Sequence, residues 1–306
     1  MTPNIVGIGA NVYDTLIKLS EFPIEDTKMP VETVVQSGGG PCATGLVAAA
    51  RLGAKTAWVG NLSDDAAGVF LLDDFDRFGV STDLIDVKPS YRTFSATVLL
   101  NEKNGSRTCL LDRGNLPPLE LSAKQLAAVE RADILLVDGN ELDAAVVAAK
   151  CAKASGCKVL YDAGGIYSGV DRLLTETDLL IPSEEFARKF AGKTTVEDAA
   201  RELFKRFEPE VVVITQGKKG GLAFRNGNTF RYPVFEVDVV DSNGAGDVFH
   251  GAFAFAFADG MPLEECCRFA AAAAALKCTK IGARNGVPTV GQVRCFLNTN
   301  HEHNFQ

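Results

Sequence analysis

A run of seven residues near the C-terminal end of the chain, Asp241-Ser242-Asn243-Gly244-Ala245-Gly246-Asp247, places a carboxylate directly after a turn of small residues. An apolar helical pattern follows at once. Because the first amides of a helix lack intrahelical partners and the helix dipole adds positive charge, Gly244, Ala245 and Gly246 are predicted to form an anion hole. Beside it, Asp247 could deprotonate a hydroxyl while the hole holds the phosphoryl group that the hydroxyl attacks. A carboxylate that only caps the helix is the alternative interpretation.

A second glycine run, Gly38-Gly39-Gly40, precedes Pro41, a residue favoured in the first turn of a helix. Three glycines allow close approach to the backbone and exceed what a plain strand-to-helix turn requires. Asp14 comes five residues after Gly9, just past a predicted strand, where a carboxylate can accept hydrogen bonds from adjacent hydroxyls of a polyol. A turn or cap aspartate is the simpler explanation of that residue.

Residues 215–221, Thr-Gln-Gly-Lys-Lys-Gly-Gly, follow the β-branched run at 211–214 and suit contact with phosphate. They do not match the P-loop pattern, and a hairpin turn with solvated lysines is the alternative. Gly7 and Gly9 suggest a dinucleotide-binding turn, but the third glycine is missing and no helix is predicted to follow. His250, one turn after the catalytic candidate in the same helix, is better explained by packing.

Composition narrows the classes of function. The chain has 306 residues, 46% of them apolar and 23% charged, with a formal charge of −8 and no basic run, which argues against a nucleic-acid partner. No apolar stretch approaches the roughly 18 residues that a membrane-spanning helix requires, and no basic segment of a signal peptide precedes Lys18. We therefore expect a cytoplasmic protein without a membrane partner.

The eight cysteines include no CxxC pair, and with three histidines the chain is unlike a zinc protein. Most of the cysteines sit among Ala, Leu and Val, where thiols behave as small core side chains. This usage predicts a reducing compartment.

Strand and helix patterns alternate along the chain. Strands are predicted at 5–10, 56–59, 134–137, 159–161, 179–181 and 211–215, and helices at 41–52, 65–78, 142–154 and 195–207. This alternation indicates an α/β fold with a mostly parallel central sheet and helices on both faces, in which ligands bind beyond the carboxyl ends of the strands.

Two turn-rich segments without helical pattern, about residues 15–37 and 91–113, interrupt this alternation. The second contains a predicted hairpin around Glu102-Lys103-Asn104-Gly105, where Asn-Gly is a strong turn signal. We expect both segments to form a small β-sheet that acts as a lid and excludes water from the site. No linker or internal repeat is visible, so residues 1–306 are predicted to form a single domain.

The chain resembles the PfkB, or ribokinase-like, family of carbohydrate kinases over essentially its whole length. Residues 241–247 are close to the family's D-T-x-G-A-G-D, and Gly39-Gly40-Pro41-Cys42-Ala43-Thr44, running into Ala50-Arg51-Leu52-Gly53, resembles its first glycine-rich signature. The resemblance implies a ribokinase-like three-layer sandwich with a β-sheet lid and phosphoryl transfer from MgATP to a sugar hydroxyl.

The resemblance also assigns roles to residues. It implies Asp247 as the base, Gly244, Ala245 and Gly246 as the anion hole, Asp14, Gly39 and Gly40 at the substrate, Thr215, Gly217 and Gly220 at the nucleotide, and Asp241 and Asn243 near a monovalent-cation site that holds potassium in some members. Asn140 and Arg113 are added as substrate contacts from their placement alone.

Three positions depart from the family's pattern. Thr44 stands where an Asn usually contacts substrate, so that contact is shorter or remade. The N-x-x-E motif associated with Mg²⁺ reads Ser183-Glu184-Glu185-Phe186, which leaves Glu184 and Glu185 as alternative metal residues. Ser242 replaces the usual Thr.

The resulting expectation is an ATP-dependent sugar kinase that uses Mg²⁺ and a small-molecule sugar, with a possible K⁺ requirement and a possible homodimer through the lid sheet. Three alternatives stay open at this stage: a nucleoside kinase of the same fold, a sugar- or nucleotide-binding regulator without catalysis, and an NAD-dependent oxidoreductase.

Overall fold

The strand–helix alternation builds one large sheet flanked by helices, with a second, smaller sheet beside it. The computed structural model describes residues 2–31, 33–103 and 106–300. Within those ranges the large sheet has ten strands and the small sheet has four. The predicted Asn104-Gly105 turn lies outside the described residues.

The bounds of the elements, in chain order, are as follows. The strands are β1 (Asn4–Ile8), β2 (Val12–Leu19), β3 (Thr33–Gly39), β4 (Lys55–Ser63), β5 (Val80–Ser81), β6 (Ile85–Lys88), β7 (Ser95–Asn101), β8 (Arg107–Asp112), β9 (Ile134–Val137), β10 (Lys158–Ala163), β11 (Leu179–Pro182), β12 (Val211–Thr215), β13 (Gly221–Arg225) and β14 (Asn228–Tyr232). The helices are α1 (Pro41–Leu52), α2 (Ala66–Phe78), α3 (Ala123–Glu130), α4 (Leu142–Ser155), α5 (Asp171–Leu174), α6 (Glu184–Ala191), α7 (Val196–Phe207), α8 (Ala245–Ala258), α9 (Leu263–Lys277) and α10 (Val290–Thr299).

The large sheet runs in the order β14-β13-β12-β11-β10-β9-β1-β4-β5, with β6 also paired to β4. Its strands from β12 to β5 are parallel, and β13 and β14 add an antiparallel edge. Alternate side chains of β1 point to opposite faces: Ile5 packs into the core with α1, α8 and α9, and Val6 into the core with α4, α6 and α7. The three-layer arrangement is therefore confirmed.

The helix limits follow from local chemistry. Helix α1 begins with Pro41 and ends at Gly53, whose φ of 111° lies in the left-handed region that a glycine adopts without strain. Helix α2 begins after Asp65, whose carboxylate accepts a hydrogen bond from the Gly68 amide. Both helices coincide with the predicted segments.

The small sheet has the order β3-β2-β7-β8 and joins the two segments that lack helical pattern. It starts at Val12 and extends to Gly39, beyond the predicted limits of 15 and 37. As a consequence Asp14 lies inside a strand of the small sheet, and the alternative explanation of a turn or cap residue after β1 is excluded. Gly39 is likewise a strand residue, and the helix starts only after Gly40.

Three further observations test expectations drawn from the sequence. No helix of the described residues has the length and apolar character to cross a membrane. All eight cysteines lie in the described ranges and none forms a disulfide. The chain also passes from β1 directly into β2, so the helix that a dinucleotide-binding turn requires is absent from this position.

Candidate active site

A cavity of about 470 Å³ lies between the small sheet and the carboxyl ends of the parallel strands. Ala10, Asn140, Ser183 and Thr215, each just after or at the end of a large-sheet strand, line one side, together with the first residues of α8. The small sheet supplies the opposite wall through Val12, Asp14, Ala96, Val98, Arg107, Cys109 and Leu111. This position is the one expected for ligands in open α/β sheets.

Asp247 lies in the first turn of α8 and faces this cavity with a half-buried side chain. Burial, and next the negative charge of Asp162, raise the pKa of Asp247 from 3.8 to about 7, against the opposing effect of His250. A carboxylate with a pKa near neutrality holds and releases a proton easily, which is the property required of a general base.

The turn before α8 places its amides at the same cavity. Gly244 precedes the helix with a φ of 78°, and a Cβ at this position would stand 2.7 Å from the Cβ of Ala283. Both facts require glycine. The Ala245 amide donates to the Ser242 carbonyl at 3.2 Å, whereas no carbonyl of the described residues accepts from the Gly246 amide. Gly244, Ala245 and Gly246 all line the cavity.

Asp14 points into the cavity from β2, with a side chain that is otherwise buried. Burial raises its pKa to about 7, Arg284 lowers it, and the charge of Asp247 raises it further. The glycine at position 39 leaves room for this carboxylate, because a Cβ there would overlap it. Asp14 and Asp247 are thus two neighbouring carboxyls that face one space.

Arg284 fixes the surroundings of Asp14 from a loop after α9. Its buried guanidinium donates to Asp74 at 2.7 Å, to the Asn11 side chain at 2.7 Å and to the Gly39 carbonyl at 2.6 Å. One positive charge therefore holds together the ends of β1 and β3 and helix α2.

Asp138 and Asn140 follow β9 and build the third side of the site. The buried Asp138 carboxylate accepts the amides of Ala10 (2.8 Å), Cys42 (3.0 Å) and Asn140 (2.9 Å), so it anchors the start of α1 to the end of β1. The Asn140 side chain accepts from Arg113 at 3.2 Å. Asn140 and Arg113, which were predicted as substrate contacts only from their positions in the chain, both line the cavity.

His250 and Asp162 form a buried pair behind Asp247. The imidazole Nδ1 lies 3.1 Å from Asp162 and 2.6 Å from the Gly246 carbonyl, and Nε2 lies 3.0 Å from the Ile181 carbonyl. Burial lowers the pKa of His250 and raises that of Asp162. His250 is packed, as expected, but it also lines the cavity.

The predicted nucleotide residues differ in exposure: Thr215 is half-buried, Gly217 is exposed and Gly220 is buried. Thr215 lines the cavity at the end of β12. Gly217 and Gly220 follow in a short turn with φ values of 54° and 76°, and they lie outside the residues that line the cavity.

The two glutamates after β11 point to different places. Glu184 accepts from the Gln216 side chain at 3.2 Å and lies 4.0 Å from Lys219, next to the predicted nucleotide turn. Glu185 pairs with Lys189 at 2.6 Å on the exposed face of α6. Neither lines the cavity, and the described residues contain no cluster of three or more His, Cys, Asp or Glu suited to a metal ion.

Two predicted contacts have different surroundings from those expected. Thr44 is fully buried in α1 and does not line the cavity, although its hydroxyl has no hydrogen-bond partner among the described residues. Gly39 does not line the cavity either, because it packs against the Asp14 carboxylate, whereas Gly40 does line the cavity. Asn243 lines the cavity, whereas the buried Asp241 lines a second cavity beside the small sheet.

Sequence reasoning missed Asp138, Asp162 and Arg284. A signal existed for the first two, because each follows a predicted strand, Ile134–Val137 and residues 159–161, at the edge where ligands bind. No local pattern marks Arg284, whose partners are more than 200 positions away in the sequence.

Comparison with known proteins gives a consistent result. A family model described as "pfkB family carbohydrate kinase" matches residues 2–290. The ribokinase of Haemophilus influenzae is 31% identical over 97% of this chain and 99% of its own length. The 5-dehydro-2-deoxygluconokinase of Shouchella clausii is 27% identical over 97% of this chain and 96% of its own. The structure of Arabidopsis thaliana ribokinase complexed with ribose and ATP superimposes with a TM-score of 0.86, at 29% identity and full coverage of both chains.

Proposed function

Because the chain belongs to the pfkB family of carbohydrate kinases, we propose that it transfers the γ-phosphoryl group of MgATP to a hydroxyl of a sugar-like acceptor in the cavity below the small sheet. The observation that carries this proposal is the meeting of Asp247, Asp14 and the amide-bearing turn at 244–246 in one space. Relatives of similar identity bear different substrate names, so similarity alone leaves the acceptor undecided.

In the proposed reaction Asp247 accepts the proton of the attacking hydroxyl, and Asp14 accepts hydrogen bonds from a second hydroxyl that orients the acceptor. The negative charge that develops on the transferred group meets the amides at the start of α8. The small sheet excludes water, which would otherwise compete as the acceptor.

ATP is proposed to extend from the cavity past Thr215 over the turn that contains Gly217 and Gly220. Magnesium supplies charge neutralisation at the phosphates when it is bound with the nucleotide. Of the two candidate carboxylates, Glu184 fits this position because it already contacts Gln216 in the same turn. Glu185 is committed to Lys189 on the surface of α6.

The charge of the cavity wall favours an acceptor with an anionic group. Arg107 and Arg113 line the cavity, and neither guanidinium lies within ion-pair distance of a carboxylate of the described residues, although the charge of Arg107 lowers the pKa of Asp247. Arg113 donates to the neutral Asn140 and stacks on the ring of Phe94 at 5.2 Å. A guanidinium without a protein anion is well suited to a carboxylate or phosphate of a ligand.

The test is an assay of ADP release with MgATP and separate pools of neutral pentoses and hexoses, keto-deoxy sugar acids, sugar phosphates and nucleosides, with the product identified by mass spectrometry. We expect turnover with a sugar acid or sugar phosphate. Turnover of nucleosides alone would favour the nucleoside kinase, and absence of product in every pool would contradict the kinase proposal.

Substitution of the cavity arginines tests whether the acceptor is anionic, independently of whether the protein is a kinase. Arg113→Ala should raise the KM of the anionic acceptor at least about tenfold, the loss of about one charge-assisted hydrogen bond, and leave the KM of ATP unchanged. Arg92→Ala is the matched control, because Arg92 pairs with Asp112 and does not line the cavity. Equal kcat/KM for a neutral sugar and its acid would refute the anionic acceptor.

A homodimer through the small sheet is a separate proposal. Strands β3 and β8 end the sheet on either side, and Val34 and Leu110 on them are more than half exposed, at 55% and 56%. An unpaired strand edge offers hydrogen-bonding groups to a second chain. Light scattering after size exclusion should give the mass of two chains for the wild type and of one chain for Leu110→Glu; a wild-type monomer would refute it.

A further inference from the structure

The position at which the family resemblance implies a monovalent cation is surrounded by groups that already satisfy Asp241. The Oδ1 atom of Asp241 accepts the Asn243 amide at 2.8 Å, and Oδ2 accepts the Gly282 amide at 2.8 Å. Its main-chain carbonyl accepts a hydrogen bond from the Lys277 ammonium at 2.8 Å. Each oxygen of Asp241 is therefore engaged by a protein donor, and one of these donors carries a positive charge.

Lys277 lies in the last turn of α9 and is completely buried, with none of its side chain exposed. Lysine is almost never fully buried unless it is paired. Here its Nζ atom lies 3.9 Å from Oδ2 of Asp241 in addition to the carbonyl contact. The carboxyl end of a helix is also the end that attracts a cation. The ammonium thus brings a buried positive charge against the carbonyl and the carboxylate of Asp241.

The end of α9 is tied to the loop that carries the anion-hole residues. The amides of Val240 and Asp241 both donate to the Cys278 carbonyl, at 2.8 Å and 3.0 Å. Three residues after Asp241, Gly244 packs against Ala283 of the same C-terminal segment. A change in the charge balance at Asp241 therefore acts directly on the turn that presents the amides of Gly246 and its neighbours.

We propose that the ammonium of Lys277 replaces the monovalent cation in this chain, by neutralising Asp241 and fixing the turn at 244–246, so that phosphoryl transfer does not depend on K⁺. Lys277 is a positioning residue, since it contacts Asp241 and not the cavity. The part of the inference that concerns turnover rests on the proposed kinase function; the part that concerns cation binding does not.

The first test uses the unmodified protein. Initial rates and the thermal midpoint are measured in KCl, NaCl and tetramethylammonium chloride at equal ionic strength, because screening alone alters surface charges. A cation that binds the folded state raises the thermal midpoint. We expect both quantities to be the same in the three salts, within about twofold for the rate. A tenfold activation by K⁺, or a midpoint that rises with K⁺ but not with tetramethylammonium, would overturn the proposal.

The second test removes the ammonium. Lys277→Ala should lower kcat at least about tenfold in tetramethylammonium chloride, because the turn loses its fixed geometry. Potassium or ammonium chloride should restore part of the rate and raise the thermal midpoint of this variant, a selectivity that a simple loss of packing would not produce. Lys280→Met, an exposed lysine three residues later, is the matched control. A Lys277→Ala protein with wild-type kcat in all three salts would refute the role of the ammonium.

If no acceptor is found for the unmodified protein, the midpoint measurements still decide the cation question. Cation-independent midpoints in the wild type together with a K⁺-dependent midpoint in Lys277→Ala would support the proposal even though the kinase proposal had failed.

Discussion

Replacement of Asp247 by Asn should make the protein more stable and nearly inactive at the same time. Burial and the charge of Asp162 raise the pKa of Asp247 from 3.8 to about 7. A carboxyl that binds its proton more tightly in the folded state loses stability as pH rises from about 4 to about 7. The difference corresponds to at most about 4 kcal/mol above pH 7, and to about 2 kcal/mol at pH 5. Asn cannot ionise, so the variant escapes this loss.

The effect on the rate has the opposite sign. A general base contributes about 10²–10⁴ in rate, so kcat of Asp247→Asn should fall by that factor while ATP binding persists. In the wild type the base acts when it is deprotonated, so kcat/KM should rise with pH through about 7 and level off above it. The variant should lose this dependence along with its activity.

The assay is urea unfolding at pH 5 and pH 8, combined with ADP release over the same pH range. Asp259→Asn at the exposed end of the same helix serves as control and should change neither stability nor rate beyond small surface effects. The reasoning fails if Asp247→Asn is less stable than the wild type at pH 8, or if its kcat stays within tenfold of the wild-type value.

Three further substitutions test other parts of the site. Arg284→Met should lower the free energy of unfolding by about 3–5 kcal/mol, measured in urea, because it leaves a buried carboxylate unpaired; an unchanged midpoint would contradict the network. Gly39→Ala should displace the Asp14 carboxylate and raise the KM of the acceptor at least about tenfold with an unchanged KM for ATP, in steady-state kinetics. Glu184→Gln should raise the Mg²⁺ concentration required for half-maximal rate, whereas Glu185→Gln should not; equal effects would refute the distinction.

Elements whose limits are set by neighbouring residues could be predicted from the sequence. Pro41 and Gly53 bound α1 as expected, because a fixed proline φ and a left-handed glycine act locally. The alternation of strands and helices along the chain also predicted the parallel sheet, because successive strands that are joined by helices pair in parallel. The two segments that form the small sheet were predicted correctly. The start of the sheet at Val12 was missed, because only three residues separate β1 from β2 and the sequence shows no clear break there.

The contacts that position the reactive groups could not be predicted. The Arg284–Asp74 pair joins residues 210 positions apart, and the Lys277–Asp241 contact joins residues 36 apart. Spacing within a segment carries no information about such pairs, because they arise from the way distant elements pack. The separation of Glu184 from Glu185 likewise depends on the register of α6 against the turn after β12, which the motif alone does not fix.

Four acidic side chains lie at the carboxyl edge of the large sheet, and their surroundings differ. Burial raises the pKa of each of them: Asp14, Asp138, Asp162 and Asp247. Asp138 is satisfied by three backbone amides and does not line the cavity. Asp162 lines the cavity behind Asp247 and lies 3.1 Å from the Nδ1 atom of His250. Asp14 and Asp247 also face the cavity, and they receive neither a hydrogen bond nor an ion-pair contact from a side chain of the described residues. Of these, Asp14 lies near Arg284, which favours its charged form and suits it to hold a hydroxyl. Burial raises the pKa of both carboxyls to about 7, so the pKa does not distinguish them. Asp247 differs in its place in the first turn of α8, beside the amides of residues 244–246, and for that reason we propose it as the carboxyl that receives the proton of the acceptor.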